Sequence, residues 1–452
     1  MAHPARTAAR LRLHAGLLDL LKLAGPVMLA RLGIMGMGLT DTVVVGRFSA
    51  TELGYNALGW APTSVMLVTS VGLLTGVQVL TAQAIGEGRP ERCGAVLRRG
   101  LRYGLLVGLS VSALLLLLGP WLLAALGIEG SLARGAGVVV RIFALGLTFD
   151  ILARAAGSFL EGLARPVPAM LVMWAANAVN LGLNLLLVPG SFGLPAFGAA
   201  GSAWATGGAR LFLLVALLAY IWRMPDAAAL GIRGPSPRDR PAEVLQRRIG
   251  YGAGASLFAE SAAFSGMNII AGWLGGLAVA GWAIVLNLSA VIFMPPLGLS
   301  AATAVLVARS WGARDRDGIV QSGVLGFLVC ITVAVAASLG VLFAAPLIAR
   351  GYATDPALAK LAAHALRLAC LFFVFDALQV VAAMAVRAQG DVWVPTITHV
   401  ASYGLVMLPL GWLLAHPLHM GLDGIVWAVV AASIMSSALL LGRFWMLTRR
   451  PL

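Results

Sequence analysis

Charge is scarce in this 452-residue chain, and lysine is almost missing. Charged residues make up 11% of the sequence, and its two lysines are Lys22 and Lys360. Neither lysine ends a GxxxxGK[ST] phosphate loop, so the chain carries no sequence signal for ATP hydrolysis. The three cysteines are scattered without a CxxC pair. This spacing argues against a disulfide framework and against a thiolate metal site.

Apolar residues, in contrast, are abundant. They make up 60% of the chain, and the mean hydropathy is +0.92. This composition predicts an all-α integral membrane protein rather than a soluble enzyme. Apolar stretches of about 20 residues, the length that crosses a bilayer, recur along the chain. The twelve predicted spans are 17–46, 53–84, 100–126, 135–163, 168–189, 199–222, 247–274, 279–311, 321–349, 358–387, 394–415 and 421–446. We expect the first to be retained, because its apolar run is too long for a signal peptide.

The net charge of +14 comes from arginines that gather in alternate connections between the spans. The largest group lies in the 223–248 connection. Since cytoplasmic loops of membrane proteins are enriched in Lys and Arg, we expect both termini and this connection to be cytoplasmic. The excess of basic residues then faces the anionic lipids of the bilayer. Because lipid accounts for this charge, we expect no nucleic-acid partner.

The two halves of the chain resemble each other. Gly72 and Leu73 align with Gly298 and Leu299 at an offset of 226 residues, and the same offset carries Asp150 onto Asp376. Each half contains six predicted spans, an even number, so both repeats should have the same orientation. The prediction is two six-helix bundles related by a pseudo-two-fold axis along the membrane normal, with alternating access by rocking. The predicted domains are an N-terminal bundle at 1–222, a cytoplasmic linker at 223–246 and a C-terminal bundle at 247–452.

Three acids inside the predicted spans have no nearby cation: Asp41, Glu260 and Asp376. Helical neighbours lie three and four residues away, and none of these neighbours is basic. An unpaired carboxylate within a span usually faces an internal cavity and handles ions, protons or substrates. At about 1.5 Å per residue, Glu260 and Asp376 lie at similar depths. The sequence therefore allows one shared cation site, a candidate Na⁺ site.

Two other acids have a basic residue four positions on. Asp150 is followed by Arg154, and Glu161 by Arg165. Each acid can then be neutralised within its own helix, and we predict structural ion pairs.

Polar side chains recur at helical spacing near the unpaired acids. These candidate cavity residues are Ser256, Asn268, Gln379, Asn180 and Asn184. The two asparagines either line a pore or form hydrogen bonds between helices.

Several stretches of the chain match a known family pattern. They are LKLAGPV near residue 21, GMGLTDTVVVG ending at Gly46, AQAIGEGR at 82–89, LFAES at 257–261 and FDALQVVAAMAVRAQGD at 375–391. With these motifs the chain resembles the multidrug and toxic compound extrusion (MATE) transporters, in their NorM-type bacterial branch. The resemblance implies a cation site formed by Glu260 and Asp376, and a second site around Asp41 with Asn180 and Asn184.

The resemblance also implies antiport in the bacterial inner membrane. Lipophilic organic cations would leave the cell in exchange for Na⁺ or H⁺. The resemblance further implies a monomeric protein without enzymatic activity and without a cofactor besides the coupling ion. The residues offer a physical account, because carboxylates in a low-dielectric cavity hold protons and also attract hard cations. Two alternatives stay open: a flippase for a lipid-linked substrate and an intramembrane lipid-modifying enzyme. A flippase should show a basic cavity, and an enzyme should show clustered aspartates, which this chain has only at Asp315 and Asp317.

Overall fold

The computed structural model of the chain describes residues 3–125, 130–191, 193–234 and 239–450. Within these ranges the regular structure is helical, and no strand occurs. The α-helices are α1 His3–Phe48, α2 Ala50–Leu73, α3 Thr75–Gly86, α4 Cys93–Ala125, α5 Gly130–Gly162, α6 Pro166–Leu187, α7 Gly198–Arg223, α8 Arg240–Leu274, α9 Gly276–Gly312, α10 Arg316–Tyr352, α11 Pro356–Ala388, α12 Trp393–His399, α13 Leu408–Ala415 and α14 Gly421–Thr448. The prediction of an all-α membrane protein is confirmed.

Ten helical segments of the described chain are long and apolar enough to cross a bilayer. The two long helices that miss this criterion are α1 and α8, which carry the acids Asp41 and Glu260. Two predicted spans are interrupted. The span at 53–84 breaks between α2 and α3 at Leu74, and the span at 394–415 contains a π-helical stretch, Val400–Met407.

The described residues group into two compact units. The first unit is Leu29–Gly254, and the second is Ala255–Leu452 together with Met1–Met28. The division therefore runs through α1 and α8, whereas the sequence analysis placed it in the 223–246 linker. Of that linker, residues 235–238 lie outside the described part.

Glycines explain why the start of α8 belongs to the first unit. A Cβ atom on Gly72 of α2 would lie 2.6 Å from the Cα of Gly254 on α8. A Cβ on Gly250 would collide with the carbonyl oxygen of Leu73. Only a residue without a side chain allows backbones to come so close. We call this contact between α2 and α8 the glycine seam.

Large side chains fill the interior of the second unit. Trp282 of α9, Phe372 of α11 and Tyr403 of the π-helical stretch are fully buried there. Short polar side chains cap the helices that frame this interior. Asp315 accepts a hydrogen bond from the backbone N–H of Gly318 at the start of α10, at 3.0 Å. Such caps satisfy N–H groups that a helix leaves without partners in its first turn.

Candidate functional site

In the second unit, Asp376 lies at the middle of α11 and is buried. Its Oδ1 atom accepts a hydrogen bond from the hydroxyl of Tyr403 at 3.1 Å and a longer one from Nε2 of Gln379 at 3.4 Å. Tyr403 belongs to the π-helical stretch. A π-helix changes the direction in which side chains leave the axis and is frequent at functional sites.

Glu260 of α8 lies at the same site. Its carboxylate is within electrostatic range of both Asp376 and Arg387. Its Oε2 atom is buried and has no hydrogen-bond partner among the described residues. Arg387 in turn donates a hydrogen bond of 2.6 Å from Nη2 to the hydroxyl of Ser256. The structure thus brings together Glu260 and Asp376, which the sequence analysis placed at equal depth.

The charges of this site do not balance. Glu260 interacts electrostatically with Asp376 and with the guanidinium of Arg387, so among the described residues this site holds two carboxylates and one guanidinium, with one excess negative charge when both acids are ionised. A buried charge without a partner is costly. A proton or a small cation at the carboxylates would remove the excess, and carboxylate oxygens are the ligands that hard cations prefer.

One predicted cavity residue is not at this site. Asn268 is exposed and follows Glu260 by eight residues along α8. This spacing corresponds to about 12 Å along the helix axis, which is too far for a side chain to reach back. Asn268 is therefore no ligand of the Glu260–Asp376 site, and its place in a substrate cavity stays a prediction.

The structure adds two aromatic residues that the sequence analysis did not include, His399 and Tyr403. The ring of His399 is buried, its centroid lies 5.8 Å from that of Tyr403, and neither of its ring nitrogens has a hydrogen-bond partner among the described residues. The sequence signal that could have indicated these residues is a pair of polar aromatic side chains four positions apart in the predicted span 394–415.

In the first unit, Asp41 of α1 is buried and fully hydrogen-bonded. Its Oδ1 accepts bonds from Nδ2 of Asn184 at 2.8 Å and of Asn180 at 3.1 Å. Its Oδ2 accepts a bond of 2.5 Å from the hydroxyl of Thr206 on α7. The two asparagines thus form hydrogen bonds between helices, one of the two alternatives above. Thr206 was not among the predicted residues.

The predicted pair within α5 is present for Asp150. The Nε atom of Arg154 lies 2.6 Å from Oδ2 of Asp150, and Nε of Arg210 on α7 lies 3.6 Å from Oδ1. Asp150 therefore has two cationic neighbours, one of them on another helix.

The predicted pair between Glu161 and Arg165 is wrong. Glu161 binds Arg31 of α1 instead, with Nη2 of the arginine 3.1 Å from Oε1. The helix α5 ends at Gly162, and Ala164 then adopts a left-handed conformation with φ of 58°. Spacing by four residues brings side chains together only while a helix continues, so Arg165 points elsewhere.

Arg165 forms a bidentate pair in the connections at the helix ends. Its Nη1 and Nη2 atoms donate to Oδ1 and Oδ2 of Asp226 at 2.9 and 2.6 Å. The hydrogen bond from Arg165 lowers the pKa of the Asp226 carboxyl below its usual value.

The buried charges of the first unit are balanced, unlike those of the second. Three carboxylates and three guanidiniums interact there: Asp41, Asp150 and Glu161 with Arg31, Arg154 and Arg210. Of these two buried clusters, the Glu260–Asp376 site is thus the one with an excess negative charge.

Long apolar helices with buried carboxylates in two units define a multi-pass membrane transporter rather than an enzyme. The family model described as MatE matches residues 26–186 and again residues 253–413. The chain belongs to the MATE family of transporters. The double match agrees with the internal repeat that the sequence analysis found.

Curated relatives cover nearly the whole chain. A probable multidrug resistance protein NorM of Caulobacter vibrioides is 53% identical over 440 residues, which covers 96% of this chain and 92% of the relative. The multidrug resistance protein PmpM of Pseudomonas aeruginosa is 32% identical, covering 91% of this chain and 87% of the relative. The multidrug resistance protein NorM of Vibrio cholerae is 28% identical, covering 95% of each chain.

Solved structures share the fold. A eukaryotic MATE transporter superposes with a TM-score of 0.88 at 18% sequence identity, covering 97% of this chain and all of the other. A MATE family transporter in its outward-facing conformation superposes with a TM-score of 0.86 at 19% identity, covering 96% and 97%. At these identities the similarity shows the fold alone.

Proposed function

We propose that the chain is a cation-coupled antiporter that exports lipophilic organic cations by alternating access. The observation that carries this proposal is the excess negative charge at Glu260 and Asp376. The names of the relatives, which are multidrug resistance proteins, support the substrate class.

The proposed mechanism uses one negative charge for two cationic occupants in turn. A coupling ion, Na⁺ or H⁺, neutralises Glu260 and Asp376 and weakens the attraction for a cationic drug. A bound drug weakens ion binding by the same free energy, because coupling between two ligands is reciprocal. Exchange of the two occupants on opposite sides of the membrane then constitutes antiport.

Asp41 has a different part in this proposal. Its carboxylate is held by Asn180, Asn184 and Thr206, and Arg210 lies within electrostatic range. A coupling ion at Asp41 would have to displace some of these donors. We therefore assign the main coupling step to the second unit and keep Asp41 as the candidate cation site of the first.

The proposed location is the bacterial inner membrane, with both termini and the 223–246 linker in the cytoplasm. Ala228 is exposed in this linker, and the native cysteines Cys93, Cys330 and Cys370 are buried. In whole cells, an Ala228→Cys variant should resist a membrane-impermeant thiol reagent and react after the cells are opened. Labelling of the variant in intact cells would show that the orientation is the opposite of the one proposed.

Transport in proteoliposomes tests the function directly. Efflux of ethidium or norfloxacin is measured first under a Na⁺ gradient at equal pH, and then under a pH gradient without Na⁺. One of the two gradients should drive efflux, and Glu260→Gln and Asp376→Asn should each abolish the effect of that gradient. Gradient-independent movement of the drug in the native protein would contradict antiport.

Asp317→Asn is the matched control. It makes the same carboxylate-to-amide change in the same unit, but Asp317 is exposed in the first turn of α10. We expect this variant to keep full coupling. If it lost coupling as completely as Asp376→Asn, the assignment of the site would be wrong.

A further inference from the structure

A second charged feature of the second unit lies apart from the Glu260–Asp376 site. A cavity of about 660 Å³ opens between the end of α10 and the first half of α11. Four basic side chains line it: Arg350, Lys360, His364 and Arg367. The rest of the lining is largely apolar, with alanines and the prolines Pro346 and Pro356.

The basic residues share one face of α11. Lys360, His364 and Arg367 follow one another at spacings of four and three residues, which places them in a row along the helix. Arg350 comes from the last turn of α10. All four side chains are exposed, so their charged ends are available to a ligand in the cavity.

Carboxylates near the cavity do not neutralise this charge. Asp423 approaches His364, with Oδ2 of the acid 3.0 Å from Nε2 of the imidazole. Asp355 accepts a hydrogen bond of 3.0 Å from the backbone N–H of Ala357 as the cap of α11. Among the described residues, no carboxylate lies within 4.0 Å of the charged nitrogens of Arg350, Lys360 or Arg367. The cavity therefore carries three permanent positive charges without ion pairs.

Neither helix stability nor membrane insertion accounts for these cations on α11. The N-terminal end of a helix is the positive end of its dipole, which favours acids, yet Lys360 lies near that end. With the 223–246 linker predicted to be cytoplasmic, the three predicted spans 247–274, 279–311 and 321–349 put the start of α11 on the outer side of the membrane, where few cations are expected.

The internal repeat shows which cations are particular to this cavity. At the offset of 226 residues, Lys360 and Arg367 correspond to Arg134 and Arg141 of α5. His364 corresponds to Val138, and Arg350 to an alanine at position 124. The second half thus carries two basic residues at this place, Arg350 and His364, where the first half has apolar ones.

We propose that this cavity binds a phosphate-bearing anion. Guanidinium groups match the oxygens of a phosphate, and a lysine adds a point charge. The apolar part of the lining and the exposed side chains Phe343 and Leu347 of the adjacent α10 surface suit the glycerol and acyl portions of an anionic phospholipid. A soluble phosphate compound offers the same headgroup chemistry without an acyl chain.

Native mass spectrometry of the purified full-length protein distinguishes the two sources. Phosphatidylglycerol, phosphatidylcholine with the same acyl chains, and inorganic phosphate are added separately. The native protein should retain phosphatidylglycerol in preference to phosphatidylcholine. Specific binding of inorganic phosphate without a preference for phosphatidylglycerol would identify the ligand as a soluble anion. Recognition of neither anion would overturn the proposal.

A triple variant locates the binding. Replacement of Arg350, Lys360 and Arg367 by Gln should weaken phosphatidylglycerol binding about a hundredfold, at about a factor of five for each basic residue, and leave phosphatidylcholine binding unchanged. The control is Arg134→Gln with Arg141→Gln, which removes the corresponding charges of the first half and should leave the preference intact. Retention of the preference in the triple variant would refute the assignment. Should the triple variant fail to fold, Lys360→Gln, at an exposed position, takes its place. Its phosphatidylglycerol affinity should fall by about the factor of five given for one basic residue, and an unchanged affinity would also refute the proposal.

Discussion

The charge count at the Glu260–Asp376 site makes a quantitative prediction for Glu260→Gln. The substitution changes the net charge of the site from one excess negative charge to zero. At an effective dielectric constant of about 20, a cation about 4 Å from a carboxylate is attracted by about 4 kcal/mol, or about a thousandfold in binding constant. The apparent affinity for a cationic drug, and the ability of Na⁺ or protons to compete with it, should fall by about this factor.

The measurement is ethidium binding to purified protein, followed by fluorescence and titrated with NaCl at fixed pH and then with acid at fixed Na⁺. Asp376→Asn should give a similar loss. The double variant leaves the site with the positive charge of Arg387 and should bind ethidium more weakly still, whereas its loss of ion-driven efflux should be scarcely greater than in either single variant, because the two acids act as a unit in coupling. Arg387→Gln changes the charge in the opposite direction and should tighten cation binding. A native competition curve in Glu260→Gln would refute the charge argument, and so would weaker cation binding in folded Arg387→Gln.

Three further predictions concern single contacts. Tyr403→Phe removes the hydroxyl that donates to Asp376, so that the carboxylate depends more on a bound ion. Since hydrogen bonds to charged groups contribute about 1.5–3 kcal/mol, binding of the coupling ion should tighten about tenfold and efflux should slow. Unchanged ion competition would contradict this. Arg154→Ala leaves Asp150 with one cationic neighbour. It should lower the yield of folded protein strongly and reduce ion coupling less, because loss of a buried partner is strongly destabilising. Normal yield with lost coupling would count against a structural role. Asp226→Asn removes the acceptor of Arg165 and should lower the thermal midpoint slightly at pH 7. Because the pKa of Asp226 is lowered in the folded protein, its contribution is complete well above the unfolded pKa of about 4 and is lost as the pH falls through the lower folded value, so the difference in thermal midpoint between native protein and variant should shrink as the pH is lowered from about 6 towards about 2; a difference that stayed constant over this range would exclude the ion pair as its cause.

The fold could be predicted from the sequence because its signals are local or repeated. Apolar runs of spanning length identify membrane helices from composition alone. The constant offset between the halves identifies the duplication without any structure. The acids Glu260 and Asp376 were also accessible, since an acid without a cation three or four residues away is visible in the sequence.

Contacts between distant segments were not accessible in this way. Arg31 and Glu161 are 130 residues apart, and no local rule connects them. The nearer residue Arg165 appeared to be the partner because the spacing rule assumes that α5 continues, and the helix in fact ends at Gly162. Tyr403 was missed for a related reason, because a π-helical stretch changes the face on which a side chain lies.

The glycine seam has a practical consequence for protein engineering. Hybrid transporters are assembled by joining the first part of one chain to the last part of a relative, and an exposed linker is the usual place to join them. In this chain a junction at 223–246 would combine α2 of one parent with the start of α8 of the other, and any side chain larger than hydrogen at Gly72 or Gly250 would then meet a backbone. A junction between Gly254 and Ala255 keeps both sides of the seam from the same parent. Recombination within a helix, rather than in the linker, should therefore give the larger share of folded hybrids.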